Sequence, residues 1–368
     1  MMNIPIPQFP SEKSLNLLSR LLLERDADEA SKQDLRAELV SLSHAQLEDM
    51  LTLAQLNHVV LRGLGTFEAI VREAGDAERA GWAHRALDVE SARIDTAVHF
   101  LDEICAAFEG NGYGVSVIKS LDHWPDIGSD LDLYTDAHPE QVCRLMQNRF
   151  HASIAARSWG DRLACKWNFE IPGLPEAVEV HVGRLGQTGE QVAIASSLLA
   201  RARQMDAGDR RFRVTSVSDR LLISALQRMY RHFYFRLCDI VDSAQLVETG
   251  AIDYDDLREA AIRAGIWKGM ATYLAIVSYY VKSLRGIGLK LPQTVTDAVQ
   301  FGGKDVYYAR GFLRVPILPQ SAQLYTAQFA GVLGKGDLQN CARLSLLPWL
   351  ATAAVVGQRL TGSDKGIW

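Results

Sequence analysis

Apolar side chains recur at three- and four-residue spacing through the first ninety positions. "SEKSLNLLSRLLLER" and "LEDMLTLAQLNHVVLRGLGTFEAI" each carry the stripe of an amphipathic helix. Between them "SLSHAQLEDM" offers serines as caps. His58 falls here, either a ligand or an ordinary helix histidine, and no catalytic constellation surrounds it. In "SARIDTAVHFLDEICAAFEGNGYG", Ile94, Ala97, Val98, Leu101, Cys105 and Phe108 share one helix face. Gly110, Gly112 and Gly114 then stop the helix and turn the chain.

From here the period changes to two. "VSVIKS" and "LDLYTD" read as short strands, and "HPEQVCRLMQNRF" as a helix with Pro139 near its start. "ASIAARSWGDRLACKWNFEIP" reads as a hairpin turning at Gly160 and Asp161, and "AVEVHVGRL" as another alternating strand. Helical spacing then returns. "SDRLLISALQRMYRHFYFRLCDIVDSAQLVETG" starts at a Ser218 cap and closes at Gly250, as two helices or one bent one. "DYDDLREAAIRAG" opens on Asp253 and ends at Gly265, and "WKGMATYLAIVSYYVKSLRG" follows as a strongly apolar helix. "DRRFRV" reads as a surface hairpin or loop, residues 286–320 are rich in Gly and Pro, and the last fifty residues are helical. The expected fold is α+β and mostly α. A small mixed-sheet core at 93–188 lies between helical regions at 1–92 and 189–368.

Length and composition narrow the picture. A chain of 368 residues exceeds one small core, since domains run to ~100–200 residues. With 48% hydrophobic and 23% charged residues it is ordinary globular material. The net charge of −5 argues against a broad nucleic-acid surface or an anionic membrane as partner, while leaving room for a local basic cleft. Cys105, Cys143, Cys165, Cys238 and Cys341 form no C-x-x-C pair and read as free thiols in a reducing cytoplasm. "MMNIPIPQFPSEKS" lacks the basic start and apolar core of a signal peptide. "LSLLPWLATAAVVG" is shorter than the ~20 residues a bilayer needs and contains Pro348, so it reads as a buried helix.

The chemistry concentrates in "SDLDLY". Alternation places Asp130 and Asp132 on one face of a strand and Leu131 and Leu133 on the other. Carboxylates this close are either solvated at a loop edge or hold a cation between them. Hard oxygen ligands suit Mg²⁺ or Mn²⁺. In "VEVHV", Glu179 and His181 share a face in the same way, so a third carboxylate on a neighbouring strand would complete a cluster suited to phosphoryl or nucleotidyl transfer. Lys119 precedes the pair by a loop containing Pro125 and Gly128. It either meets a phosphate as a point charge or stays in solvent, paired with Asp122 or Asp126. Arg228, Arg231 and His232 fall on one helix face with Arg236 a turn further on. Facing a cleft they bind a triphosphate or acidic substrate; facing water they are a hydrated face between core aromatics.

These motifs resemble the nucleotidyltransferase superfamily of DNA polymerase beta. Its members carry an apolar strand, a Gly-Ser-type turn, a gap near ten residues, a D-x-D strand, and a third acid on a later strand. Here Lys119 and Ser120 stand at the turn, "GSDLDL" supplies the pair and "EVEVH" the third acid. More narrowly, the chain is similar to a poorly characterised bacterial family within that superfamily. "DMLTLAQLNHVVLRGL" matches its front-end helix, "FRLCDIVD" with Arg236 and Asp239 its Arg-Leu…Asp-Ile element, and "AIDYDDLREAAIRAG" its following helix. Three positions depart: Ser120 replaces a glycine, Ile127-Gly128-Ser129 stands where an arginine is usual, and Val182 replaces a tryptophan.

The resemblance implies a nucleotidyltransferase core set among helices. The expected reaction moves a nucleoside monophosphate from an NTP, ATP first among them, to an acceptor with release of pyrophosphate. Asp130, Asp132 and Glu179 would be the catalytic and Mg²⁺- or Mn²⁺-holding residues. Lys119, Ser120, Ser129, His181, Arg231 and Arg236 would meet nucleotide or acceptor. The acceptor itself, whether small molecule, peptide, protein or RNA end, is not legible. Two other classes stand beside this one: a non-catalytic nucleotide-binding or antitoxin-like interaction protein on the same fold, and a helical scaffold whose Asp-x-Asp is accidental.

Overall fold

The computed structural model describes residues 11–24, 28–185 and 189–361. Residues 1–10, which hold most of the stretch examined for a signal peptide, and residues 362–368 of the helical tail lie outside the described residues. The fold is α+β and mostly helical, around a mixed sheet.

Five helices come first: α1 (Glu12–Leu23), α2 (Glu29–Val40), α3 (His44–Leu56), α4 (Val60–Glu73) and α5 (Ala77–Gly110). Local capping sets their starts. Ser11 and Asp28 accept from the backbone of Ser14 and Ser31, and Ser43 forms a capping box with Gln46. The start of α4 has no cap of its own; Asp126, sixty-five positions away, accepts from the Leu61 N–H at 2.6 Å. α5 crosses between two cores. Its first turns bury Ala80, Trp82 and Ala83 among the helices, and its last turns bury Ile94, Ala97, Val98, Leu101, Ile104 and Phe108 under the sheet. The division expected at 92/93 therefore falls inside one continuous helix.

The strands are β1 (Val115–Val117), β2 (Asp130–Thr135), β3 (Ser153–Ile154), β4 (Lys166–Glu170), β5 (Ala177–Val182), β6 (Arg203–Ala207) and β7 (Arg210–Val214), ordered β3-β4-β5-β2-β1-β7-β6. Helix α6 (Pro139–Phe150) makes the crossover from β2 and, with β3 and β4, leads to the parallel partner β5. β2 and β5 lie side by side with Asp132 opposite Glu179 and Tyr134 opposite His181. Leu131, Leu133, Val178 and Val180 fill the core beneath. Each such buried side chain contributes roughly 1.5–3 kcal/mol. A one-residue slip would exchange these for carboxylates, so the register is strongly fixed.

After the sheet come α8 (Gly189–Arg201), α9 (Val217–Tyr230), α10 (Leu237–Glu248), α11 (Tyr254–Arg263), α12 (Trp267–Arg285) and the short α13 (Gln293–Thr296). The fold closes with α14 (Ala322–Gly334) and α15 (Leu338–Thr361), and α7 (Trp159–Leu163) lies back within the sheet region. Leu18, Leu53, Leu64 and Phe67 from the front helices share one core with Leu222, Met229, Leu237 and Tyr273. Helices from both ends of the chain thus pack together over the sheet.

Several local expectations change. Gly160 and Asp161 do not form a tight hairpin turn; they belong to α7, started by a Ser158–Asp161 capping box, between the paired strands β3 and β4. Ser218 is inside α9, whose cap is Ser216, because the Asp219 N–H donates to the Ser216 hydroxyl. The long segment after it is two helices, with β8 (Tyr234–Phe235) between them. β8 pairs with β10 (Phe312–Arg314), which pairs with β9 (Tyr307–Ala309), so the Gly/Pro-rich region closes a small second sheet. "DRRFRV" does form a hairpin, β7 pairing antiparallel with β6, but β7 also lies parallel to β1, so the hairpin joins the main sheet, which runs past residue 188. α15 is not a buried helix along its length. Leu344 and Leu347 pack against α14, while Trp349 is 74% exposed. Among the described residues no helix is long and apolar enough to cross a membrane.

Candidate functional site

A cleft of about 470 Å³ opens between the β2/β5 face of the sheet and the α9–α10 junction. This is the size of a small-molecule site. One wall carries Asp130, Asp132, Glu179 and His181; the other carries Arg228, Arg231, His232 and Arg236.

The carboxylate wall follows from strand alternation. A ligand oxygen of Asp132, one of Glu179 and a ring nitrogen of His181 all lie within 4.8 Å of one another. Asp130 lines the same cleft but is one pleat further along β2 and outside that tight group. Burial, then Glu179 and Asp132, push its carboxyl up to about 6. The native state therefore holds a proton there that the unfolded chain releases near 3.8, and stability falls as pH rises through that window. Asp130→Asn is expected to stabilise the fold by about 1–3 kcal/mol near pH 8 and by nothing below pH 3.8, as measured by denaturant titration at both values. An equal effect at both pH values would show that the carboxylate is not under this pressure.

His181 is buried, and neither ring nitrogen has a hydrogen-bond partner. His181 Nε2 lies 3.6 Å from Oδ1 of Asp132, the oxygen that also meets the Lys119 ammonium. Burial and the Lys119 ammonium hold His181 down at about 3, so it is a neutral imidazole and a weak base. Two lysines balance the acids. Lys119 forms an ion pair with Asp132 and stands 4.0 Å from Glu179. Lys166 donates to Glu179 at 2.8 Å and pairs with Asp161 at 3.1 Å. Burial works against the Lys166 charge, but Glu179 and Asp161 outweigh it and raise its pKa. Lys119 thus pairs with neither Asp122 nor Asp126. Its backbone sits at φ 60°, a left-handed conformation uncommon outside glycine, at the turn where the resembling family has a Lys-Gly pair.

The loop between β1 and β2 is pinned from several sides. The Ser120 hydroxyl accepts from the Asp132 N–H at 2.7 Å and donates to the Asp130 carbonyl at 3.2 Å, so it locks the loop onto β2. Ser129 reaches Asp130 Oδ2 at 3.3 Å. Arg62 of α4 holds Asp126 of the loop at 2.7 Å and Asp242 of α10 at 2.6 Å. Arg93 of α5 pairs with Glu176 and reaches the Gly128 carbonyl at 3.4 Å.

The basic wall is partly internal. Arg228 is buried and neutralised by Asp239 at 2.7 Å, which excludes a hydrated helix face at that position. Asp239 also accepts the Arg236 backbone N–H at 2.8 Å, which starts α10. That pairing accounts for the Arg-Leu…Asp-Ile spacing as a helix cap. The Arg236 side chain lies over the Tyr234 ring at 5.8 Å, and its Nε has no hydrogen-bond partner. Arg314 and Arg228 flank the same ring at 5.1 and 5.4 Å. Arg231 ends α9 at the cleft, its guanidinium donating to the Tyr230 carbonyl.

Sequence pattern alone missed Lys166, although "KWNFE" alternates and places Lys166 beside His181 across the β4–β5 pair. It also missed Arg62, Asp242 and His123, whose partners are remote in sequence, and offered Asp126 to Lys119 where the structure pairs it with Arg62. No known family profile matches the chain, and no curated protein matches it.

Proposed function

We propose that this protein is a metal-dependent nucleotidyltransferase that transfers a nucleoside monophosphate from an NTP, ATP first among them, to an acceptor and releases pyrophosphate. One observation carries the proposal: Asp132, Glu179 and a buried His181, whose ring nitrogens make no hydrogen bond, converge on one wall of a cleft whose other wall is arginine-rich. The motif resemblance to the DNA polymerase beta superfamily points the same way.

The residues fit a divalent ion. Two carboxylates and a neutral imidazole converge: Asp132 Oδ1 stands 3.6 Å from His181 Nε2 and is held by the Lys119 ammonium, which an incoming ion would have to displace. Asp132 and Glu179 would hold Mg²⁺ or Mn²⁺, with Asp130 joining once ionised. Such an ion supplies Lewis-acid charge at phosphate oxygens and favours the ionised form of the attacking hydroxyl. His181 orients Glu179 or contacts the acceptor as a neutral imidazole. Arg231 and Arg236 face the polyphosphate and neutralise it, which is positioning and charge stabilisation rather than covalent chemistry. Ser120 keeps the loop closed on β2, and Ser129 stands at the rim beside Asp130. Five free cysteines suit a reducing compartment such as the cytoplasm. A net charge of −5 argues against a broad nucleic-acid surface.

The same wall also favours a second reading. Lys119 and Lys166 already neutralise Asp132 and Glu179, as a nucleotide-binding protein without catalysis would require. A screen of the four NTPs with Mg²⁺ or Mn²⁺, following pyrophosphate and intact protein mass, separates the two. Pyrophosphate release supports transfer; saturable NTP binding without release supports the binder; neither outcome ends both. Lys119→Met sharpens the test. If the ammonium swings from Asp132 to phosphate on binding, NTP affinity falls by about 1.5–3 kcal/mol while Mn²⁺ binds the freed carboxylates more tightly. Calorimetry that shows both constants unchanged removes Lys119 from the site.

A further inference from the structure

We propose that His58, His123 and Cys238 form a second, chemically distinct metal site that takes Zn²⁺ or a similar borderline-soft ion at the edge of the cleft. A ring nitrogen from each histidine and the Cys238 sulfur lie within 4.8 Å of one another. They come from three separate parts of the chain: the α3–α4 junction, the β1–β2 loop and the first turn of α10.

The surroundings are those of a ligand set. Asp242, one turn beyond Cys238 on α10, holds Nδ1 of His123 at 2.5 Å. That bond turns Nε2 of His123 toward the Cys238 sulfur, 3.5 Å away. A carboxylate behind a histidine is the usual outer support of a zinc ligand, fixing its tautomer and orientation. Asp242 is itself held by Arg62 at 2.6 Å, so this support exists before any ion arrives. His58 adopts the left-handed conformation, φ 53°, and its imidazole forms no hydrogen bond among the described residues. Gly128 leaves it room, since a Cβ there would stand 3.3 Å from the His58 ring.

Ligand chemistry separates this site from the carboxylate wall. One thiolate and two imidazoles select Zn²⁺ or Co²⁺ over Mg²⁺, whereas Asp132 and Glu179 favour hard ions. Three protein ligands leave a fourth tetrahedral position. His58 and His123 both line the cleft, so that position is open to water or a substrate group. A filled site would tie the loop bearing Lys119 to both helical ends of the chain.

Co²⁺ titration of the purified full-length protein tests this, because a thiolate ligand adds a charge-transfer band in the near ultraviolet. The expected result is one thiolate-containing Co²⁺ site per chain, displaced by Zn²⁺. Cys238→Ser should abolish the band, and His58→Gln, checked for an unchanged thermal transition, should weaken Co²⁺ at least tenfold. Asp132→Asn should leave the band unchanged, so failure of the nucleotidyltransferase proposal and failure of this one are read separately. The absence of a thiolate band in the wild type, its survival in Cys238→Ser, or undiminished Co²⁺ affinity in His58→Gln overturns the assignment.

Discussion

Asp132→Asn is expected to lower NTP-dependent pyrophosphate release by ~10³-fold or more, with the fold retained. Asp132 sits on β2 directly opposite Glu179, and its buried Oδ1 meets the Lys119 ammonium. Asparagine keeps the shape but removes half the charge that two converging carboxylates offer a cation. It also releases Lys119 from its ion pair, so the loss of metal affinity and the mispositioning of the ammonium act together. Asp206→Asn is the matched control. Asp206 is solvent-exposed, pairs with the exposed Arg211 and lies away from the cleft. Steady-state assays of both variants, with thermal unfolding alongside, check the prediction. Turnover in Asp132→Asn within tenfold of wild type would remove this carboxylate from the chemistry and favour the reading in which the cleft binds without catalysing.

What the amino-acid pattern revealed depended on whether the information was local. "DLDLYT" and "AVEVHV" alternate so regularly that burying Leu131, Leu133, Val178 and Val180 leaves Asp130, Asp132, Glu179 and His181 on the other face. The faces were therefore legible. The strand neighbours were not, because alternation says nothing about which strand lies next to which. Lys166 was missed for that reason: its importance comes from β4 pairing with β5, which "CKWNFE" alone cannot announce. "DRRFRV" reads as a surface hairpin because arginines alternate with Phe212 and Val214, and β7 does pair with β6 in that way. Its inward residues join the core only because β7 lies against β1. Ser218 was mistaken for a cap because Ser216, two residues earlier, carries the same chemistry. The hydrophobic run around Pro348 misled in the other direction. High apolar content does not make a helix buried along its whole length: Leu344 and Leu347 pack against α14, and Trp349 stays in solvent.

Remote ion pairs were the least visible feature, and the largest of them sets the strongest stability prediction. Arg62→Met is expected to destabilise the protein by about 3–5 kcal/mol, the range for removing one partner of a buried ion pair. Nε of Arg62 meets Asp126 at 2.7 Å and Nη1 meets Asp242 at 2.6 Å. Asp126 is only 1% exposed, so water cannot replace the lost guanidinium. Asp242 keeps His123 and a 3.5 Å contact to Arg220, whereas Asp126 keeps only backbone donors. The damage should therefore centre on Asp126 and on the start of α4 that it caps. Burial already holds the Asp126 carboxyl above its ordinary range, against the pull of Arg62. Without Arg62 its pKa rises further, the native state keeps the proton longer, and stability falls as pH climbs through the raised value. Arg62→Met should consequently lose more stability in mild alkali than in mild acid, and adding Asp126→Asn should recover part of the loss. Because Asp126 anchors the loop bearing Lys119 and Ser120, NTP-dependent turnover should fall with it. Denaturant titrations of the single and double variants at two pH values decide the matter. A loss below about 1 kcal/mol with no pH dependence would mean that the loop is held by packing, and that Arg62 is a bystander to it.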